Sequence, residues 1–296
     1  MKDVKKFMTR SGVATLSALV TAAFVFLPGK SMAQNYSLSD GGSTATLNLG
    51  AGTGNLGMNS WTVLNGQNQL DQQWFWYSVN GSAPQPINTI GGLTTTPNGA
   101  NDVTVTYQNS QLSVNVDYTL TGNGASSGSA DIMEYIWIDN VSAGQTAQTL
   151  NVSFFQYSNF NLLNNNNNTV SITGSLGAYT GAFQSTGTPG GTGIAEVILA
   201  PSASHGETAL VPTTLNELNN PLNSNFNLSD NTSAVTGDVS WAFQWDATLN
   251  PGDEEDISKD KGLQVTVVPE PGTTALAVLG GLCLMGWTVQ RHHSAS

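Results

Sequence analysis

The side chains able to do chemistry are few, and their types narrow what that chemistry can be. Taking Gln34 to Val268 as the body, His205 is its sole histidine, and Cys283, the one cysteine, falls beyond it. A Ser-His-Asp device would have to be built on His205. Its setting, Pro201-Ser202-Ala203-Ser204-His205-Gly206-Glu207, reads as a loop without a nucleophile elbow. Zinc takes three or four nitrogen or sulfur ligands, which one histidine and no cysteine do not supply. Phosphate loops and dinucleotide fingerprints are missing too, and no base is placed to hold a phosphoryl group. Without cysteine the body has neither a disulfide nor a thiol nucleophile.

Carboxylates are the remaining reactive groups. Glycoside hydrolysis needs only two acids across a cleft, and Asp131 with Glu134, or Asp117 with Asp139, are candidate pairs. Asp253-Glu254-Glu255-Asp256, with Asp260 nearby, is a weak candidate for calcium held through carboxylate oxygens. It lacks the alternate spacing of a dedicated calcium loop. A strand edge charged against edge-to-edge pairing accounts for it better, with Lys259 and Lys261 as local counter-charges. Trp61, Trp74 and Trp137 are candidates for stacking on sugar faces, with abundant Asn, Gln and Thr to bond hydroxyls. The same tryptophans alternate as core residues do, so none is assigned a binding role. From this inventory the chain is expected not to be an enzyme, and to use no cofactor and no metal.

The charge distribution excludes further classes. Between Lys30 and Lys259 there is no Lys or Arg, and the body carries 18 acids against 2 bases, a net charge near 16 negative. Such a surface repels phosphate backbones and has no cationic stripe from which counterions are released. Nucleic acid is therefore excluded as a partner, and anionic head groups are disfavoured. Low charge and 32 Gly suggest disorder, but long alternating apolar segments and scattered Trp oppose it.

The elements that must position these groups read as strands. Leu112 to Leu120 alternates with period two, as do Val103-Val105-Tyr107 before it, with Asn109-Ser110 as the turn between. Val239 to Leu249 is a third alternating set, closed by Asn250-Pro251-Gly252, and Leu150-Val152-Phe154 begins a fourth, ending before the Asn164–Asn168 run. Trp74 to Tyr77 and Ile132 to Ile138 are apolar on both faces, which predicts central strands between two layers. Turn signals recur at Asp40-Gly41, Asn65-Gly66, Asn80-Gly81, Asn98-Gly99, Asn123-Gly124 and Pro251-Gly252. Thr213 to Asn220 is long enough for two helical turns, and Thr180 to Gly193 reads as the longest loop. The fold class is all-β: one large antiparallel β-sandwich.

The two termini carry their own patterns. Lys2, Lys5, Lys6 and Arg10 precede an apolar stretch from Gly12 to Leu27, then Pro28-Gly29 and Ser31-Met32-Ala33. This is a three-part secretory signal, residues 1–33, with cleavage between Ala33 and Gln34 by signal peptidase. Val268-Pro269-Glu270-Pro271 is followed by an apolar run from Thr273 to Val289 and by Arg291-His292-His293. That run, at ~1.5 Å per residue, spans about 26 Å, enough for a thin hydrocarbon core. Arg291 would act as the membrane stop and leave the body outside.

Pro-Glu-Pro, a short Gly-containing apolar helix and a terminal Arg together resemble the PEP-CTERM sorting signal of Gram-negative bacteria. The resemblance covers about the last two dozen residues and none of the body. Here the basic cluster is sparser than is common in the family, with Arg291 its only fully charged member. It implies recognition and processing by exosortase, a membrane-embedded cysteine protease resembling a transpeptidase, and association with exopolysaccharide and biofilm.

The expected organisation is thus a signal peptide (1–33), an extracellular β-sandwich body (34–267) and a sorting signal (268–293). A signal helix and a single transmembrane helix would flank the sandwich. The expected function is that of an exported, non-enzymatic cell-surface or extracellular-matrix protein. Its partners would be signal peptidase, exosortase, exopolysaccharide and, before processing, the membrane. A lectin-like carbohydrate-binding module is the alternative reading, and a carboxylate-dependent glycan hydrolase the second.

Overall fold

The computed structural model describes residues 35–50, 55–64, 66–187 and 191–266. The secretory signal, the sorting tail, Asn65 and residues 188–190 lie outside the described residues. Among those described, no helix is long and apolar enough to cross a membrane.

The described chain is built of strands β1 (Asn35–Asp40), β2 (Ser43–Asn48), β3 (Gly57–Thr62), β4 (Leu70–Val79), β5 (Gln85–Pro86), β6 (Thr94–Pro97), β7 (Asp102–Gln108), β8 (Leu112–Gly122) and β9 (Ser129–Asn140). After these come β10 (Leu150–Phe160), β11 (Asn168–Ser175), β12 (Ala178–Ser185), β13 (Gly193–Ala200), β14 (His205–Leu210), helix α1 (Thr213–Leu218), β15 (Val235–Gly237), β16 (Val239–Leu249) and β17 (Glu254–Gln264). They form two antiparallel sheets. The eight-stranded sheet runs β1-β2-β3-β4-β10-β16-β14, with β5 on β4. The nine-stranded sheet runs β15-β11-β12-β13-β17-β9-β8-β7-β6.

The all-β sandwich expected from the alternation is what forms. Residues 112–120 fall in β8, 103–107 in β7 and 239–249 in β16. Asn109 makes the β7–β8 turn by accepting, through Oδ1, from the backbone N–H groups of Gln111 and Leu112. The core lies between the sheets. Val114, Val116, Ile132, Ile136, Ile257 and Leu263 from one sheet meet Phe75, Phe154, Trp241, Phe243 and Trp245 from the other, all buried. Each such side chain contributes roughly 1.5–3 kcal/mol by leaving water.

Two sequence expectations are corrected here. Thr180 to Gly193 is not one long loop, because Ala178–Ser185 pairs with both β11 and β13. And β9, although central in its sheet, is covered on one face only by the described residues. Its even-numbered residues are buried, while Met133, Tyr135 and Trp137 look outward into solvent. β4 does behave as read: it lies between β3 and β10 and buries Trp74, Phe75 and Trp76.

Candidate functional site

Part of the outer face of the eight-stranded sheet is covered. Its floor is made by alternate residues of β10 and β16, Ser153 pairing Asp246 and Phe155 pairing Gln244 in register. A strap formed by residues 211–234 crosses this floor. Leu218 and Leu228 are buried in it, and Phe226 lies 5.8 Å from Phe155 between ring centroids. Polar ties fix its path: Trp76 Nε1 donates to Asn219 Oδ1 at 3.1 Å, and Leu228 N donates to Gln244 Oε1 at 3.0 Å. The buried Glu207 carboxylate accepts from Ser229 N at 2.9 Å and from the Thr214 hydroxyl. Burial, and then the charge of Glu207, raises the Glu217 carboxyl above its ordinary value.

Where the strap stops, a cleft of about 370 Å³ opens. Ser78, Asn151, Ser153, Asp246 and Thr248 form its floor; Gly81, Asn225, Phe226 and Asn227 form its wall. Its rim is held in unusual backbone. Asn80, Gly81 and Asn225 have φ of 52°, 72° and 54°, in the left-handed region. A Cβ on Gly81 would stand 2.2 Å from Asn225 Oδ1, so glycine is required for the wall to close on the turn.

Asp246 is the electrostatic centre of the cleft. Its Oδ1 accepts from Ser153 Oγ at 2.6 Å and from Gln244 Nε2 at 2.8 Å. Its Oδ2 lies 3.6 Å from His205 Nε2, and the other ring nitrogen, Nδ1, lies 2.8 Å from Asp230 Oδ2. Asp230, at φ 57°, also accepts from Gly206 N at 3.2 Å, which fixes it against the first turn of β14. His205 is thus bracketed by two carboxylates. With side-chain exposures of 23% for His205 and 39% for Asp246, both remain reachable by solvent and by a bound molecule. An imidazole oriented by one carboxylate and facing another can take or give a proton. Next to them, burial and the Asp230 charge raise the Tyr179 hydroxyl, which stays a neutral donor.

A second constellation lies sealed between the sheets. Glu134 of β9, Glu196 of β13 and Lys259 and Lys261 of β17 all point inward with 0% side-chain exposure. Both ammonium groups bind Glu134 Oε2, Lys261 at 2.7 Å. They lie 3.5 and 3.4 Å from Glu196 Oε1. Glu196 Oε2 accepts from Gln156 Nε2 at 2.8 Å and Trp241 Nε1 at 2.7 Å, which ties the cluster to the facing sheet. Lys259 stands 5.0 Å over the Phe75 ring. Burial, and then the neighbouring Lys261, pushes its ammonium well below the ordinary lysine range. All four side chains are fully buried, and through Gln156 and Trp241 they join the two sheets.

No family model matches the chain, and no curated protein matches it. Solved structures do resemble it. A putative aldose 1-epimerase from Escherichia coli K12 is similar at 9% identity and a TM-score of 0.48, over 79% of this chain and 99% of the other. A galactose mutarotase related enzyme from Lactobacillus acidophilus is similar at 9% identity and 0.47, over 79% and 100%. A bacterial glucoamylase complexed with acarbose is similar at 8% identity and 0.49, over 84% of this chain and only 36% of the other. All are carbohydrate-active proteins by name. That overturns two expectations, that the body is a non-enzymatic matrix protein and that the chain is not an enzyme, and neither is retained. At these identities and TM-scores the likeness itself carries no substrate and no mechanism.

The sequence candidates are distributed as follows. His205 is not in a loop; it opens β14 opposite Gln244. Asp131 and Glu134 are on opposite faces of β9, outward and inward, and do not pair across a cleft. Asp117 and Asp139 are both outward but four residues apart in register, since Asp117 faces Tyr135 and Asp139 faces Ser113. Lys259 and Lys261 are not counter-charges of Asp253–Asp256, because strand alternation turns them into the core. The same alternation splits the acidic run: Glu254 and Asp256 face outward and Glu255 does not. Asp253 is absorbed by the turn, accepting from Asn250 N and Nδ2, both at 2.9 Å. Among the described residues no three His, Cys, Asp or Glu side chains are grouped to hold a metal ion. Trp61 and Trp74 are core, and Trp137 is partly exposed. Ala33, Gln34, Val268, Pro269, Glu270, Pro271 and Arg291 lie outside the described residues. Sequence reasoning missed Asp230 and Asp246.

Proposed function

We propose that the chain is a carbohydrate-active protein whose cleft beside the strap takes a saccharide. In this reading Asp246 accepts from a sugar hydroxyl and His205 is its proton partner. The observation that carries the reading is the make-up of the cleft: hydroxyls and amides of Ser153, Asn151, Asn227 and Thr248 around one solvent-reachable carboxylate, with Phe226 as an apolar wall. A sugar presents donors, acceptors and an apolar face at matching spacing, and pockets of a few hundred Å³ suit it. Proton exchange at a sugar hydroxyl needs only an acid and a base within reach, which the pair supplies.

Titration calorimetry with mono- and oligosaccharides tests the binding. The wild type should saturate, and Asp246→Asn should weaken binding by about tenfold or more, the scale of a lost hydrogen bond to a charge. Anomer interconversion followed by NMR, and reducing-sugar release, report which chemistry follows. If no saccharide binds saturably, the reading is wrong.

The termini support a further proposal about address. The chain is exported through the inner membrane, cut after Ala33 by signal peptidase, and sorted by exosortase at Val268-Pro269-Glu270-Pro271 while Arg291 stays inside. The body would then meet exopolysaccharide at the cell surface, in the outer envelope or in the extracellular matrix. What supports this is the three-part signal at one terminus and the Pro-Glu-Pro, apolar run and Arg at the other. Replacing Glu270 or Pro271 should leave an unprocessed, membrane-bound form; normal maturation of both variants would refute it.

A further inference from the structure

On the opposite side of the sandwich, no strap among the described residues crosses the outer face of the nine-stranded sheet at β9. Tyr135 and Trp137 stand there side by side, ring centroids 4.5 Å apart at 61°, both partly exposed. Register fixes what surrounds them. Trp137 lies between Asp256 of β17 and Asn115 of β8, and Tyr135 between Ser258 and Asp117. One step further along, Asp139 faces Glu254. This gives an aromatic pair flanked by carboxylates on both sides. Among the described residues no base balances it, for Lys259 and Lys261 point inward and the described chain has no other Lys or Arg.

Partial burial and crowding both act on the neighbouring carboxyls. Glu254 has its carboxyl raised above the ordinary value by its hydrogen bond with Asp139, and Asp256 by local desolvation and then by Glu254. Asp117 is raised by burial against the sheet. Carboxylates crowded this way gain from an added positive charge, and an indole face attracts both a pyranose ring and an ammonium group. A flat sheet face bearing two rings suits an extended chain better than a compact ligand.

We infer that this face is a second glycan-binding surface, and that its occupant is a polymer of amino sugars carrying free amines. Trp137 and Tyr135 stack on the pyranose rings, while Asp117, Asp256 and the Asp139–Glu254 pair take the ammonium groups. Asn115 donates to Asp139 Oδ2 at 3.0 Å and to Ser113 Oγ at 3.2 Å, which holds that carboxylate beside the rings. This site is separate from the cleft, and it stands whether or not the cleft binds sugar.

Titration calorimetry of the purified full-length chain tests it with three probes: glucosamine hexamer, N-acetylglucosamine hexamer and hexalysine. Glucosamine hexamer should bind about tenfold more tightly than its acetylated counterpart, with an affinity that falls as salt rises. Trp137→Ala should weaken it by about tenfold, and Trp137→Phe should keep most of the binding. Asp256→Asn should erase the preference for free amines while sparing the weaker acetylated probe. Two results would overturn the inference. One is a folded Trp137→Ala protein, judged by circular dichroism, that binds as the wild type does. Another is hexalysine binding as tightly as the glucosamine hexamer, which would mark a surface for basic peptides.

Discussion

Among the described residues, acids and bases meet at two places in the sandwich, and water reaches only one of them. Between the sheets, Glu134, Glu196, Lys259 and Lys261 form a four-charge cluster with no side-chain exposure. On the outer face, His205, Asp230 and Asp246 keep exposures of 23%, 26% and 39%. In the interior, desolvation costs several kcal/mol per ion, and only mutual attraction and the added bonds from Gln156 and Trp241 offset it. Such groups are fixed in partnership and unavailable to a ligand. At the surface each group keeps part of its hydration, so acids and bases there can exchange partners and protons. Burial separates a joint from a site.

The sharpest way to break the comparison is to remove one partner from each place. Glu134→Ala leaves two ammonium groups buried against Glu196 alone, and stability should fall by about 3–5 kcal/mol. Urea unfolding measures it directly; a loss under about 1 kcal/mol would mean that water enters the cluster. Replacing all four charges with apolar residues of similar volume should, by contrast, be neutral or stabilising by roughly 1–4 kcal/mol. If the fourfold variant were as damaged as Glu134→Ala, the charges would be specifying how the sheets meet.

Gly81→Ala should come next in size. It forces a Cβ at φ 72° to within 2.2 Å of Asn225 Oδ1, and a residue held in that region costs about 1–3 kcal/mol. The wall of the cleft must shift, so saccharide binding should weaken together with stability. Asp246→Asn is smaller still in stability, below about 1 kcal/mol for so exposed a group. Its damage should appear in binding. Equal losses of stability in Glu134→Ala and Asp246→Asn would erase the distinction between joint and site.

Much of the scaffold was legible, because a period of two is a property of neighbours in sequence. The phase of Ile132, Ile136 and Ile138 fixes the inner face of β9, and Glu134 sits on that phase. Ile257 and Leu263 likewise bracket Lys259 and Lys261. A charge on the apolar phase of a strand is a signal of a buried ion pair, although its partner strand is not given by spacing. The cleft was less legible. His205 and Asp246 come from adjacent strands about 40 residues apart in sequence, and Asp230 arrives on the strap, whose path depends on contacts such as Trp76 with Asn219. Nothing local in Asp246, an outward residue on an alternating strand, marks it as different from any solvated acid. From sequence Trp137 reads as covered on both sides, because aromatic residues on a sheet's open face look the same as core.

The least disruptive test concerns that open face and needs only pH. Asp117, Glu254 and Asp256 have carboxyls raised above ordinary values of 3.8 for Asp and 4.5 for Glu. A raised group binds its proton more tightly in the folded chain, so its contribution to stability is complete below the ordinary value. It is then lost as pH climbs through the raised one. Between about pH 4 and neutrality these groups should therefore weaken the fold as they ionise. Asp256→Asn, which removes the middle charge, should flatten that part of the profile and raise the melting temperature slightly at pH 7. Added salt should shrink the difference between variant and wild type, because the repulsion is exposed and screened. The buried cluster is untouched by this substitution, so the steep loss of stability in Glu134→Ala should persist when the two changes are combined. The sites share no partner, and their effects should add within about 0.5 kcal/mol. Coupling well beyond that would mean that β17 transmits charge from its outer residues to Lys259 and Lys261, and that the two faces of one strand are not independent.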